Sequence, residues 1–304
     1  MRTTLALLAS FLGAAAAHAD DVLVGVLEHE LPRSAWARGD ELARLRVTFK
    51  HSAAGWQAMP HEAHDREALQ RLPTAYPAEA NWTIAFDGRS IGTVTTRRKK
   101  RYKYYGEVGL VEVTSKNVPK VGVASAHSPF ALADGEPAYR SLVAISNGHF
   151  NDPDLWKREK PGVKALSLAL AALRKRLPAV VPCSRSGSAL PPRKYADDEV
   201  KTVESHRSKD DAHVVSLLIV PKRAVTCEPG DSPDADTLVH TFGIAFSGEV
   251  TFLGTALTLV DAGDYDGDSH SELVFFRSES DNHEGYLLVA DQFHLRIEFN
   301  WNYH

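Results

Sequence analysis

The stretch that decides the fold reads Leu259-Val-Asp-Ala-Gly-Asp-Tyr-Asp-Gly-Asp-Ser-His-Ser-Glu-Leu-Val-Phe-Phe276. Asp264, Asp266 and Asp268 alternate in it, and His270 and Glu272 continue the spacing of two residues. Oxygen donors at positions 1, 3, 5, 7 and 9 of a tight loop can surround one calcium ion, position 7 donating its backbone carbonyl. Carboxylates this close together repel one another unless a cation lies between them. The sequence therefore predicts a calcium site; the alternative is a solvated acidic turn.

The residues on either side of this loop indicate whether helices or strands flank the site. An EF-hand needs helical flanks and an acidic twelfth residue, whereas Phe275 occupies that position here. The flanking runs Leu257–Val260 and Leu273–Phe276 are short and apolar, which favours strands. The sequence thus predicts a strand, a metal-binding loop and a second strand.

This arrangement resembles the calcium loop of integrin-type FG-GAP repeats, also called VCBS repeats. The resemblance covers residues 259–276 only. It implies a β blade in which Asp264, Asp266, Asp268 and Glu272 bind calcium through their side chains and His270 through its carbonyl. Ser269 stands where the family usually has glycine, so we expect backbone strain and a weak or moderate affinity.

The rest of the chain has the pattern of a mainly β protein. Short β-branched runs recur from Val22 to the carboxyl end, and Asp87-Gly88 is a typical hairpin turn between two of them. The motif Ile84-Ala-Phe-Asp-Gly88 returns as Ile244-Ala-Phe-Ser-Gly248. We therefore expect a β-propeller-like arrangement of hairpins in a single domain over residues 20–304, with a calcium-loop blade near 237–304. The alternative is two β-sandwich-like subdomains.

One helix interrupts the β pattern at about residues 163–177. Leu166, Leu170, Leu173 and Leu177 fall on one face of it, Gly162 precedes it and Pro178 follows it. We interpret the leucines as part of the core.

Residues 1–19 have the pattern of a secretory signal peptide. Arg2 precedes an apolar run from Leu5 to Ala17, and Ala17-His18-Ala19 is a small-residue cleavage site. The run is short for a membrane span, and no later stretch predicts a transmembrane segment. We expect an exported protein, periplasmic or extracellular; a retained amino-terminal anchor is the alternative.

The chain has two cysteines, Cys183 and Cys227. An even number in an exported protein favours a disulfide between them. Two independent thiols are the alternative.

A basic tract stands out from a chain of formal net charge −4. That mild acidity argues against nucleic acid as a partner. Basic residues interleaved with tyrosines could hold an anionic surface, either an acidic glycan or lipid headgroups, and the alternative is a solvated loop or a lysine-protected edge strand. The basic residues are Arg97, Arg98, Lys99, Lys100, Arg101 and Lys103.

Two functions compete at this level. The first is a non-enzymatic exported calcium-binding module that presents a surface to an unknown protein or glycan. The second is an exported metal-dependent hydrolase acting on glycans or phosphoesters, with His61 and His64 as a zinc pair or His149 beside Asp152 and Asp154. The motifs of zinc proteases and serine hydrolases are absent from the sequence, which favours the first function.

Overall fold

The computed structural model describes residues 21–30, 42–63, 65–122, 139–146, 148, 150–181, 190–220, 239–280 and 283–301. Strands account for 49% and helices for 15% of these residues, which confirms a mainly β protein. The predicted signal peptide (1–19) lies outside the described residues, and so do Cys183 and Cys227, so the predicted disulfide remains a prediction.

The largest sheet has seven antiparallel strands in the order β1-β7-β4-β5-β6-β2-β3. Because β1 also pairs with β2, the first six of these strands close into a ring. Strand β3 pairs with the carboxyl-terminal end of β2. The strands are Val22–Glu30 (β1), Leu42–Ser52 (β2), Gly55–Ala58 (β3), Glu79–Phe86 (β4), Arg89–Arg98 (β5), Leu110–Val113 (β6) and Leu142–Ile145 (β7).

Two further sheets contain the second half of the chain, and in both the strands are neighbours in sequence order. The five-stranded sheet contains Lys157–Arg158 (β8), Val200–Arg207 (β9), His213–Ile219 (β10), His240–Ile244 (β11) and Val250–Thr255 (β12). The four-stranded sheet contains Leu257–Gly263 (β13), Glu272–Ser280 (β14), His283–Ala290 (β15) and Leu295–Trp301 (β16).

The described residues contain two α-helices, Arg66–Arg71 (α1) and Val163–Arg176 (α2), and α2 confirms the predicted helix. Its most buried residues are Ala165, Ala169 and Leu173, while Leu166, Leu170 and Leu177 pack only partly against the core. Small alanines let the helix lie close to β10 and β11, so the buried face is shifted from the predicted leucine stripe. Single-turn 3-10 helices lie at Leu72–Ala75, Tyr105–Glu107, Asp197–Glu199 and Asp291–Phe293.

The four-stranded sheet is buried on both faces, which explains its continuous apolar runs. Alternate residues of β14 and β15 enter different clusters, as the period of two in a strand requires. Leu273 and Phe275 face a cluster shared with the five-stranded sheet, whereas Val274 and Leu288 face the cluster of the seven-stranded sheet. Helix α2 covers the other face of the five-stranded sheet. Full burial of each such side chain contributes about 1.5–3 kcal/mol.

The described sheets do not show the predicted β-propeller. They contain seven, five and four strands, and the largest closes on itself. The alternative of β-sandwich-like subdomains fits sheets that face each other across shared cores. The repeated motif does mark two hairpins, β4–β5 and β11–β12, but they lie in different sheets. Hairpin signals are local, and they do not determine which sheet a hairpin joins.

Strands β11 and β12, within the predicted blade near 237–304, belong to the five-stranded sheet, and the four-stranded sheet begins at Leu257. Within the described ranges, no helix is long and apolar enough to cross a membrane.

Candidate metal centre

The acidic loop, residues 264–271, connects β13 to β14, and Gly263 pairs with Glu272 across its base. Asp264, Asp266 and Asp268 each offer a side-chain oxygen, and these oxygens all lie within 4.8 Å of one another. Oxygen ligands bind calcium at about 2.3–2.6 Å, so ligands on opposite sides of one ion are about 5 Å apart. The three aspartates are therefore close enough to share one calcium ion.

Hydrogen bonds within the loop orient these carboxylates. The Gly267 and Ser269 N–H groups donate to the two carboxylate oxygens of Asp264 at 2.7 and 3.1 Å. The Asp268 N–H donates to Asp266 at 3.1 Å, and the His270 N–H donates to Asp268 at 2.7 Å.

The turn places one residue in a conformation that favours glycine. Ser269 has φ +73°, which supports the expected backbone strain at this position. A non-glycine residue there costs about 1–2 kcal/mol. The weak or moderate calcium affinity expected from this strain remains a prediction.

Glu272, the first residue of β14, is only 2% exposed, and the group of mutually close ligand oxygens found among the described residues does not include it. Its carboxylate accepts a hydrogen bond of 2.8 Å from the Tyr265 N–H. Burial, and then the charges of Asp266, Asp268 and Asp264, raise the Glu272 pKa to about 9, although the Tyr265 hydrogen bond acts in the opposite direction. A cation among the aspartates would offset this repulsion. His270 is exposed, and the role of its carbonyl as a ligand remains a prediction.

Residues 150–156 support one side of the acidic loop. The Asp264 N–H donates to the Asn151 carbonyl at 2.9 Å, and the Ser271 N–H and hydroxyl donate to Asp154 and Asp152 at 2.8 and 2.7 Å. Asp152 and Asp154, considered from sequence as possible ligands, hold the carboxyl end of the loop instead. Burial raises the Asp152 pKa, against its hydrogen bonds from Ser271 and the backbone.

The β2–β3 hairpin supports the other side through Asp266. The indole N–H of Trp56 donates to the Asp266 carboxylate at 3.1 Å, and His51 Nε2 lies 3.5 Å from the same oxygen. The two rings contact each other, with centroids 4.9 Å apart. Burial and the Asp268 charge raise the Asp266 pKa. Nothing in the sequence around residue 56 signals this contact, because the partners are 210 residues apart.

Asp261, in β13, is a further buried carboxylate, at 7% exposure. One oxygen accepts from the Ala262 and Gly88 N–H groups at 2.9 and 3.4 Å, and the other has no hydrogen-bond partner among the described residues. Burial raises the Asp261 pKa to about 7, and the Asp152 and Asp87 charges add to this effect.

The basic tract begins at the end of β5, a strand that lies between β4 and β6. The tract therefore does not protect a sheet edge. Arg97 pairs with Glu112 at 2.9 Å and Lys99 with Glu107 at 2.8 Å.

Of the two histidines in the zinc pair of the hydrolase hypothesis, only His61 lies among the described residues. His61 Nδ1 lies 2.9 Å from the Met59 carbonyl, and its ring packs against Phe299 at 4.9 Å. These contacts are those of a structural histidine. His64 and His149 lie outside the described residues.

No protein-family model, no curated protein and no solved structure matches the chain. The resemblance to FG-GAP repeats therefore rests on the residues of the acidic loop alone.

Proposed function

We propose that the protein is an exported calcium-binding β scaffold, a non-enzymatic module whose acidic loop is fixed by one calcium ion. The observation that carries this proposal is the convergence of three aspartate oxygens within 4.8 Å of one another, whose charges also act on the buried carboxyl group of Glu272. Hard oxygen donors of this kind and number suit calcium.

The local charge supports a cation taken from solution. The charges that act most strongly on Glu272 are those of the three aspartates, and His51 is the basic group that acts on Asp266. One partly exposed histidine does not balance four carboxylates. Calcium would remove the repulsion and let all four carboxylates stay ionised.

The position of the loop supports a stabilising role for the ion. The loop contacts residues 150–156 through Ser271 and the β2–β3 hairpin through Asp266. Calcium that holds the aspartates in place would stabilise both segments, because an ion that binds only the folded state adds its binding free energy to the stability. The scaffold would then present its surface to a protein or a glycan.

Unfolding in the presence of chelator or calcium tests the proposal. At a free calcium concentration of about 100 times Kd, linkage predicts a gain of about 2.7 kcal/mol in the free energy of unfolding. Asp268→Asn should remove most of this gain, because it replaces a charged ligand of the proposed ion with a neutral one. Asp268 is exposed, and its replacement leaves the hydrogen bond between Trp56 and Asp266 intact. Asp210→Asn changes an exposed aspartate outside the loop and is the matched control. Equal stability of the wild-type protein in chelator and in millimolar calcium would refute the proposal.

Isothermal titration of the wild-type protein gives a second readout, with an expected stoichiometry of one calcium ion per chain. Asp268→Asn should lower the affinity at least tenfold, and Asp210→Asn should leave it unchanged.

Export is supported by the signal-peptide pattern in residues 1–19. Sequencing the amino terminus of the mature protein from a native host should give Asp20 as its first residue. No feature of the described residues favours the hydrolase.

A further inference from the structure

The basic loop, residues 97–105, has a defined conformation because it closes on a buried glutamate. Glu107 is 8% exposed and accepts hydrogen bonds from Lys99 Nζ at 2.8 Å and from the Lys103 N–H at 2.6 Å. Tyr102, 2% exposed, anchors the middle of the loop and contacts Tyr76 edge to face, with ring centroids 6.1 Å apart. With Tyr102 and Lys99 turned inward, Lys100, Arg101 and Lys103 are exposed.

The internal bonds leave most of the positive charge of the loop available. Only Lys99 is neutralised by a buried acid. Arg97 pairs with Glu112, but both side chains are largely exposed, and such pairs contribute little in water. Arg98 Nη1 donates to the Thr74 and Tyr76 carbonyls at 3.3 Å each, and these neutral acceptors leave its charge uncompensated.

A groove of about 520 Å³ runs beside this charge. Arg97, Arg98, Lys99 and Lys100 line one side, and Thr74 and Glu79 line part of the other. Because these four basic residues are consecutive in the chain, their charges are spread along the groove wall. Guanidinium groups match carboxylate and sulfate groups with paired hydrogen bonds.

We propose that this groove binds an acidic polysaccharide, a linear chain that carries uronate or sulfate groups. Several cations along one wall of a concave groove fit a chain of repeated anions. A flat membrane surface would instead favour a convex patch with apolar side chains for insertion, and Tyr104, 45% exposed, is the one large apolar side chain exposed in the loop. Only this local positive charge attracts the polysaccharide, because the chain as a whole has a formal charge of −4.

This site is independent of the acidic loop, and its test is carried out in chelator so that calcium cannot bridge the polysaccharide to the aspartates. The probes are heparin, polygalacturonate and vesicles that contain phosphatidylserine, each titrated into the full mature protein at low and at physiological salt. The test variant is Arg97→Glu with Lys100→Glu, two exposed positions that line the groove. The matched control is Lys160→Glu with Lys164→Glu, which gives the same change in net charge at exposed positions outside the groove.

We expect heparin or polygalacturonate to bind the wild-type and control proteins and to bind the groove variant at least tenfold more weakly. Affinity should also fall as salt rises, because binding releases counterions. Equal loss of affinity in both variants would overturn the proposal, and so would binding to neither polysaccharide at low salt. Binding to vesicles alone would overturn it in favour of a membrane surface. Circular dichroism confirms that each variant is folded before binding is scored.

Discussion

The acidic loop and the basic loop each close on one buried glutamate, and the two glutamates differ in their partners. Glu107 is hydrogen bonded to Lys99 and to the Lys103 N–H; burial acts to raise its pKa, but these partners bring the pKa below its usual value. Glu272 is hydrogen bonded to the Tyr265 N–H, but burial and the charges of Asp266, Asp268 and Asp264 raise its pKa to about 9. The charge of Glu107 is thus compensated within the chain, whereas Glu272 stays neutral at pH 7 unless a cation compensates the negative charge around it.

This contrast separates two uses of a charged loop. The basic loop balances its buried charge internally, so its exposed cations are available for another molecule. The acidic loop has an excess of negative charge near a buried carboxyl group, and the proposed calcium ion would compensate it. The predictions below change one side of this comparison at a time.

The largest expected effect comes from Asp261, the further buried carboxylate near the acidic loop. Its folded pKa of about 7 is above the usual value of 3.8, so the stability it contributes is complete below pH 4 and lost as pH rises through 7. In chelator, the free energy of unfolding of Asp261→Asn relative to wild type should rise by on the order of 4 kcal/mol between pH 4 and pH 8. Denaturant titrations across this range measure the difference, with Asp210→Asn as the control. A constant difference would show that Asp261 is ionised at neutral pH.

On the basic side, Glu107→Gln should lower the free energy of unfolding by about 3 kcal/mol at pH 7, because it leaves the Lys99 ammonium partly buried without a counter-ion. The loss should be the same in calcium and in chelator. It should disappear as pH falls through the lowered Glu107 pKa, since both proteins are then uncharged at this position. Glu112→Gln removes an exposed partner of Arg97 and should cost less than about 1 kcal/mol. If the two variants lost the same stability, burial of Glu107 would not be the cause.

Glu272→Gln is the matching change in the acidic loop and should behave in the opposite way. At pH 7 in chelator Glu272 is protonated, so a neutral glutamine of similar shape should change stability by less than about 1 kcal/mol. In calcium at about 100 times Kd, the variant should lose most of the stabilisation of about 2.7 kcal/mol. Paired unfolding curves in the two buffers measure both numbers. Full calcium stabilisation of this variant would exclude Glu272 as a ligand.

The smallest expected effect concerns the support of the acidic loop by β3. Trp56→Phe keeps an aromatic ring but removes the N–H that donates to Asp266, and it should cost about 1 kcal/mol. Trp156→Phe is the matched control, because its indole nitrogen is buried without a hydrogen-bond partner among the described residues. Denaturant titration in chelator should show a smaller loss for the control. Equal losses would mean that ring size, not the hydrogen bond, determines the cost at Trp56.

Much of the local structure could be predicted from the sequence. The β13–loop–β14 unit, the Asp87-Gly88 hairpin and helix α2 lie where their patterns place them, because turn residues and apolar periodicity act over a few positions. The arrangement of the strands could not be predicted in the same way. The ring of six strands depends on β1 pairing with β2 on one side and with β7 on the other. The β1–β7 pairing joins residues more than a hundred positions apart.

The same distinction between local pattern and tertiary arrangement applies to the candidate site. The sequence by itself determined the alternating donors Asp264, Asp266 and Asp268, because their spacing within one turn brings them together. Only the tertiary structure decided that Glu272 is buried and that Asp152 and Asp154 support the loop. The physical reason is that a local turn sets which side chains can meet, whereas burial and distant hydrogen-bond partners arise only when separate segments pack together.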